Sequence, residues 1–534
     1  MDADWVVIGS GFGGSASALR LAEKGYDVVV LEQGRRFADD DFAGRMSHAP
    51  SMIWRPELGL RGIMQLIPFK HMMVAAGAGV GGGSLVYANT MYQPHDDDFY
   101  RHPQWAELAD WRSALEPHYA EAKRMMGVVD YVGDGPSPAM LRDVADEFDL
   151  HKKARSTPVA VYFGEPGVTA PDPYFGGDGP ARTGCIRCGE CMLGCRYNAK
   201  NTLTKNYLHL AERAGVRIQP DSKVTDIRPL GAADGRDGYE LQIRRPGLGR
   251  SNRRTLRARG IIVAAGPYGT NELLAQCRDR GSLPRISDRL GTLVRTNSEA
   301  IVAATADDPG ADYRDDIAIT TSIYPDEKTH ATNNTYGDGG DLMALMFAPF
   351  TSGEDPHRGR TTLKLMLAEP RKWLSLRRIR GWSRRTVLFT VMQSTDQSMR
   401  FTLRRGLSRW GGVLQSAPGA EPPSTHLPIA NAVAESAARR MDGYPQSSLY
   451  EALMGAPVTA HLLGGAPIGA SAETGVVDAD QRVFGYRNML VCDGSAVPAN
   501  PGVNPSLTIL AMTEHAMSRL PEKQTSDFAA SAGA

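Results

Sequence analysis

Three stretches of this 534-residue chain hold residue types at spacings that could do chemistry. Gly9, Gly11 and Gly14 fill G-x-G-x-x-G, and Glu32 closes an apolar run 18 residues after the last of them. Between a strand and a helix that pattern suits a dinucleotide. Gly9 allows a tight turn, Gly11 lets backbone N–H groups approach a pyrophosphate, Gly14 lets helix and strand pack, and the carboxylate holds a ribose hydroxyl. Cys185, Cys188, Cys191 and Cys195 form C-x2-C-x2-C-x3-C. That spacing matches the ferredoxin-type run that wraps thiolates around an iron–sulfur cluster. Zinc also takes four thiolates, though usually as pairs across a longer knuckle, and free or disulfide-bonded cysteines are the third reading. Arg371 to Arg385, RKWLSLRRIRGWSRR, carries seven basic residues and no acidic one. Interleaved with Trp373 and Trp382, it could lie on an anionic bilayer. The plainer reading is a solvated basic segment packed by its tryptophans.

The elements that must position these residues follow from periodicity. Trp5–Ile8 and Asp27–Leu31 read as buried strands flanking a helix over Ser15–Lys24. Arg35–Lys70 reads as an irregular loop or lid, and Ala75–Asn89 as a second Gly-rich turn. Trp105–Met126 is predicted helical, with Leu108, Trp111, Leu115 and Tyr119 on one face. Asp134–Gly179, rich in Pro, Gly and Asp, is predicted to be a long surface connection into the cysteines. A helix over Thr204–Ala214 and short strands over Val216–Ile227 precede GIIVAAGPYGTNELL, Gly260–Leu274, a second strand, turn and helix. Asp316–Tyr324 and Arg385–Gln393 look like strands of an antiparallel sheet, and Asn488–Glu514 returns to strand, turn and helix.

The totals narrow the class. Lys plus Arg and Asp plus Glu are both 60, so no global field recruits nucleic acid. No apolar run is long enough to span a bilayer. The first strand begins too early for a cleavable leader, so the cytoplasm is the default location, with membrane association through 371–385 as the variant. Four of six cysteines fall within eleven residues, which is not a disulfide framework.

Gly9 to Gly14 with Glu32, GAGVGGGS (Gly77–Ser84), AAGPYGTNELL (Ala264–Leu274), HLLGG (His461–Gly465) and VCDGSAVPANPGVNP (Val491–Pro505) together resemble the glucose–methanol–choline (GMC) family of FAD-dependent alcohol oxidoreductases. The likeness is strongest to its cholesterol-oxidase-like branch. It implies an α/β fold with a discontinuous Rossmann-like FAD domain (1–95, 200–300, 455–534), a connecting region (96–199) and an antiparallel-sheet substrate domain (301–454). It implies FAD contacts at Gly9, Gly11, Phe12, Gly13, Gly14 and Glu32, at Gly79, Gly82, Gly83 and Ser84, at Val224 and Gly266, and at Asp493, Gly494, Asn504 and Pro505. In the family's chemistry the flavin takes a hydride from an alcohol carbon. His461 would accept the hydroxyl proton and Asn504 would orient the oxygen. The expected substrate is a bulky apolar alcohol, a 3β-hydroxysteroid such as cholesterol first among them, with oxygen or an electron carrier as acceptor. A sugar or aromatic alcohol dehydrogenase passing electrons through an iron–sulfur cluster, and a non-redox flavin lyase, are the competing readings. Sterol oxidases of this kind use a glutamate to shift the steroid double bond. Lys328–Tyr336, where it should fall, holds no carboxylate, so that isomerisation is not expected. Glu299 is a substitute by position, although a solvated loop glutamate is its ordinary reading. His71 raises covalent attachment, whereas the similar branch binds FAD noncovalently.

Overall fold

The computed structural model describes residues 1–42, 44–247, 252–314, 316–351, 355, 357–368, 370, 378–404, 412–424 and 426–524. The N-terminal apolar run forms the strand Ala3–Ile8, inward on both faces, as suits the middle of a parallel sheet. Val7 stands opposite Val30 of the strand Val28–Leu31 on one side and Ile262 of Arg254–Val263 on the other. Arg217–Gln219 pairs in parallel beyond Val28–Leu31, and Met489–Val491 adds in parallel to Arg254–Val263. Tyr239–Arg244 and Lys223–Pro229 continue the sheet antiparallel. One seven-stranded sheet therefore collects strands from the start, middle and tail of the chain. Helix Phe12–Glu23 leaves the first strand through Gly11, and Gly266–Arg280 repeats the arrangement after Arg254–Val263. Ser506–Ser518, buried over most of its length, packs on Phe12–Glu23 and on Trp111–Met125. Arg20 joins the three helices through Glu514 and Glu121, each at 2.7 Å.

A second seven-stranded sheet is antiparallel throughout: Phe347–Pro349, Gly443–Ser448, Ala300–Ala306, Thr386–Gln393, Thr329–Asn334, Thr321–Asp326 and Arg155–Ser156. Its side chains alternate by face. Ala300, Val302 and Ala304 pack with helices Pro136–Phe148 and Pro428–Arg440, whereas Ala303 and Ile301 join a different apolar cluster with Phe37 and Leu85. The α/β class with an antiparallel second sheet is thus present.

Four local expectations change. Asp134–Gly179 is not all surface connection: Pro136–Phe148 is a helix, with Pro at its first turn and Met140, Leu141 and Val144 buried. Each of those side chains contributes about 1.5–3 kcal/mol by leaving water. The stretch before Lys70 contains the strand Met64–Pro68, which forms a hairpin with Met73–Gly77. The helix predicted from Trp105 begins at Trp111, because Asp110 caps it through Ser113 N. Trp382 is wholly buried and packs on Phe347 at 5.5 Å between ring centroids, so it does not face a bilayer. Residues 371–377, including Trp373, lie outside the described residues.

Candidate active site

Four glycines make the first turn, and only one of them faces space. A Cβ on Gly9 would lie 2.1 Å from Ala264 O, on Gly13 1.7 Å from Cys492 O, and on Gly14 2.1 Å from Gly9 O. A Cβ on Gly11 would meet nothing within 4 Å. Gly11 stands at the N-terminus of a 12-residue helix, whose first N–H groups lack intrahelical acceptors. The second Gly-rich turn closes on the first: a Cβ on Gly82 would lie 2.7 Å from Gly11 Cα, and Gly81 N donates to Ser10 Oγ at 3.1 Å. Gly79 is hemmed in by Phe37 and Leu85, Gly83 faces the Phe12 ring, and the Ser84 hydroxyl accepts from Leu203 N at 3.0 Å.

Glu32 is buried beside these turns. It accepts from Ser10 N (3.1 Å), Ser10 Oγ (2.7 Å) and Gly34 N (2.8 Å). Burial pushes its carboxyl up, and those donors pull it back. Val224 lies within the strand Lys223–Pro229. Gly266, at φ +75° with open space above it, donates its N–H to Asp493 Oδ2 at 2.9 Å. Asp493 also accepts from Thr270 Oγ1 (2.6 Å) and Ser495 N (2.7 Å), so its side chain ties the tail to the helix Gly266–Arg280. Gly494 packs against Pro267 and Leu463, and Pro505 leads into the helix Ser506–Ser518.

The tail and the hairpin together place His461. Val458–Thr459 pairs in parallel with Met73–Gly77, and the chain then turns. His461 N donates to Thr459 Oγ1 at 2.9 Å, which fixes the backbone from which the imidazole projects. Its Nε2 lies 3.1 Å from Asn504 Nδ2, and its Nδ1 lies 3.2 Å from Glu299 Oε2, off hydrogen-bond alignment. Glu299 is no solvated loop residue, since its side chain is 1% exposed. Asn504 is buried, and its Oδ1 has no partner among the described residues. The loop carrying Asn504 is clamped by Asn297, which receives Gly502 N (3.0 Å) on Oδ1 and donates to Val503 O (2.9 Å). Asn297 N also donates to Asn500 Oδ1 at 3.1 Å. Sequence reasoning missed Asn297 and Thr459; the readable trace was an asparagine just before a strand, where φ +58° favours that residue.

Family models match this arrangement at both ends of the chain. One for GMC oxidoreductases covers residues 385–513, and one for FAD-dependent oxidoreductases covers residues 4–158. The chain is 45% identical over 541 aligned residues to a cholesterol oxidase of Mycobacterium tuberculosis, with 98% of this chain and 92% of that protein covered. It is 42% identical to a cholesterol oxidase of Acinetobacter baumannii, with 98% and 95% covered. The chain belongs to the GMC oxidoreductase family. Within that fold it is also similar to a solved pyridoxine 4-oxidase from Mesorbium loti, at a TM-score of 0.61 and 15% identity over 96% of this chain and 98% of that one.

As a GMC oxidoreductase it is FAD-dependent, and its residues fit the cofactor. The open ground at Gly11 and Gly266 leaves room for backbone to meet phosphate, and the unpartnered Asn504 Oδ1 sits beside the catalytic candidate. His71, in the hairpin turn, has its Nδ1 3.0 Å from Ser416 O.

The four cysteines of this GMC chain line one cavity of about 20 Å³, with Lys200 beside them. None of the four is paired in a disulfide. Among the described residues no group of three or more His, Cys, Asp or Glu side chains is arranged to hold a metal ion. Burial first, and then repulsion from Cys191, pushes the Cys185 thiol up; burial pushes the Cys191 thiol up against the pull of the Ala318 backbone N–H and of Lys200, and burial pushes Cys188 up to about 12. Lys200 Nζ donates to Cys191 O (2.7 Å) and Leu85 O (3.0 Å), and burial lowers it to about 8. No described helix is long and apolar enough to cross a membrane.

Proposed function

We propose that this chain oxidises the hydroxyl group of a bulky apolar alcohol, with a 3β-hydroxysteroid such as cholesterol as the leading substrate. The observation that carries the reading is the pairing of His461 Nε2 with Asn504 Nδ2 at 3.1 Å. The contact sets an imidazole lone pair and an amide N–H side by side, and an alcohol oxygen entering between them would give its proton to the first and accept from the second, which does not titrate. FAD, when bound, would supply the hydride acceptor, with dioxygen or an electron carrier as the final acceptor. The Gly-rich turns at 9–14 and 79–84, together with Glu32, would hold its pyrophosphate and ribose, and the loop Gly502–Pro505 would face its ring. The second sheet, whose strand Ala300–Ala306 starts beside His461 through Glu299, would roof the substrate. Support for a sterol comes from the two cholesterol oxidases above. The strand Thr329–Asn334 offers His330 and no carboxylate, and Glu299 Oε2 is tied to Thr459 and Ala460, which favours the unisomerised ketone as the product.

Steady-state turnover of the FAD-loaded chain with cholesterol, a hexose and a benzylic alcohol tests this. The sterol should be the preferred substrate by kcat/KM, and its ketone should retain the original double-bond position. Preference for the sugar or the benzylic alcohol would replace the reading. Product formation with no reoxidation of the flavin required would point to the lyase.

A further inference from the structure

Glu299 is the one carboxylate that touches His461 among the described residues, and every donor it meets belongs to the segment that carries the histidine. Its Oε2 accepts from Thr459 Oγ1 (2.8 Å) and Ala460 N (3.0 Å) and lies 3.2 Å from His461 Nδ1. On the other side of the ring, Asn504 Nδ2 reaches Nε2. An amide N–H can donate only to an unprotonated Nε2, so the neutral ring must carry its proton on Nδ1, facing Glu299. Both neighbours select the same tautomer.

We infer that Glu299 is a positioning residue: it holds His461 with Nδ1 protonated and Nε2 free, and it supplies the counter-charge when Nε2 takes a proton. This rests on the reading of the site as an alcohol oxidoreductase. The physical reason is the burial of the carboxylate. A charge out of water with only two neutral donors is poorly compensated, and the imidazolium formed during turnover completes the compensation. The attraction therefore grows as the hydroxyl proton transfers to Nε2, which is the condition for assisting the reaction rather than only binding. The Nδ1–Oε2 separation of 3.2 Å is already within hydrogen-bond length and only the alignment falls short, and such contacts tighten when a site fills.

Glu299→Gln keeps the shape and the oxygen that meets Thr459 and Ala460 while removing the charge. Glu299→Leu removes both, and Glu299→Asp keeps the charge. All three are measured as FAD-loaded full-length chains with flavin content and thermal melt checked. At saturating cholesterol the rate of anaerobic flavin reduction should fall about 10-fold in Gln and about 100-fold or more in Leu, recover in part in Asp, and leave KM within about twofold. Long-range ¹⁵N NMR of histidine-labelled protein reads the tautomer without substrate: Nδ1–H in the native chain, mixed in Leu. Native-like rates in both Gln and Leu, or an Nε2–H tautomer in the native protein, would overturn the inference. The tautomer result stands even where no tested alcohol reduces the flavin, in which case the proposed reaction fails and the positioning role does not.

Discussion

Exchanging glycine for alanine at two positions three residues apart should break two different properties. At Gly14 the new methyl would stand 2.1 Å from Gly9 O, more than 1 Å inside ordinary contact, and a backbone carbonyl cannot rotate away. Helix and strand must separate, at an overpacking cost of about 1–3 kcal/mol or more. At Gly11 the methyl meets no atom within 4 Å, and φ −72°, ψ −165° is extended backbone that alanine adopts. Its cost to the empty protein is that of a poorer helix cap, within about 1 kcal/mol. The methyl would instead occupy the ground where a pyrophosphate approaches the helix N-terminus. Losing about 1–3 kcal/mol there weakens FAD binding roughly 5- to 150-fold. Urea denaturation of the flavin-free variants and titration with FAD by quenching of flavin fluorescence separate the two effects. Gly14→Ala should lose stability, and Gly11→Ala should keep stability and lose affinity. A Gly11→Ala protein that binds FAD as tightly as the native chain, or a Gly14→Ala protein of native stability, would refute the reasoning.

Three further outcomes are expected. His330 is buried, and burial first, then the charges of His95, Arg155 and His461, lower it to about 3. The native state refuses a proton that the unfolded chain binds below about pH 6.5, so this stability is present above that pH and is lost as pH falls toward 3. His330→Phe, which fits between Tyr92 and Tyr324, should shrink the difference in unfolding free energy between pH 7 and pH 5 by about 2 kcal/mol, and an unchanged difference would contradict it. Asn297→Ala frees the loop 500–504 and should lower the rate of flavin reduction by about 10-fold while the melt shifts only modestly, as stopped-flow and calorimetry would show. Trp382→Ala should cost about 3–5 kcal/mol by urea denaturation and leave binding to anionic vesicles unchanged, because the ring is core.

The frame of the cofactor site was legible because its cues are local. A strand buried on both faces is a continuous apolar run, and glycines pressed against carbonyls cannot be replaced, so Trp5–Gly34 carried its structure in its own letters. His461 and Asn504 became legible only through the family resemblance, since nothing near either residue announces its partner. Glu299 was misread because its burial is decided by Thr459, 160 residues away in the chain. Helix Pro136–Phe148 was hidden by the Pro and Gly around it, although a proline at the first turn is itself a helix-start cue. The hairpin ending at Gly77 looked like a lid because methionines carry little strand preference. Its place is set by pairing with Val458–Thr459, which no local pattern shows.

The proposed reaction requires His461 to take the proton of an alcohol beside a bound flavin. Anaerobic mixing of the FAD-loaded chain with cholesterol, followed through the yellow absorbance of the oxidised flavin, measures that step alone. The native protein should bleach in one exponential phase, and His461→Asn should bleach about 100-fold or more slowly with the same flavin content. Bleaching at the native rate in the variant, or a native flavin that stays yellow with every alcohol offered, would contradict it.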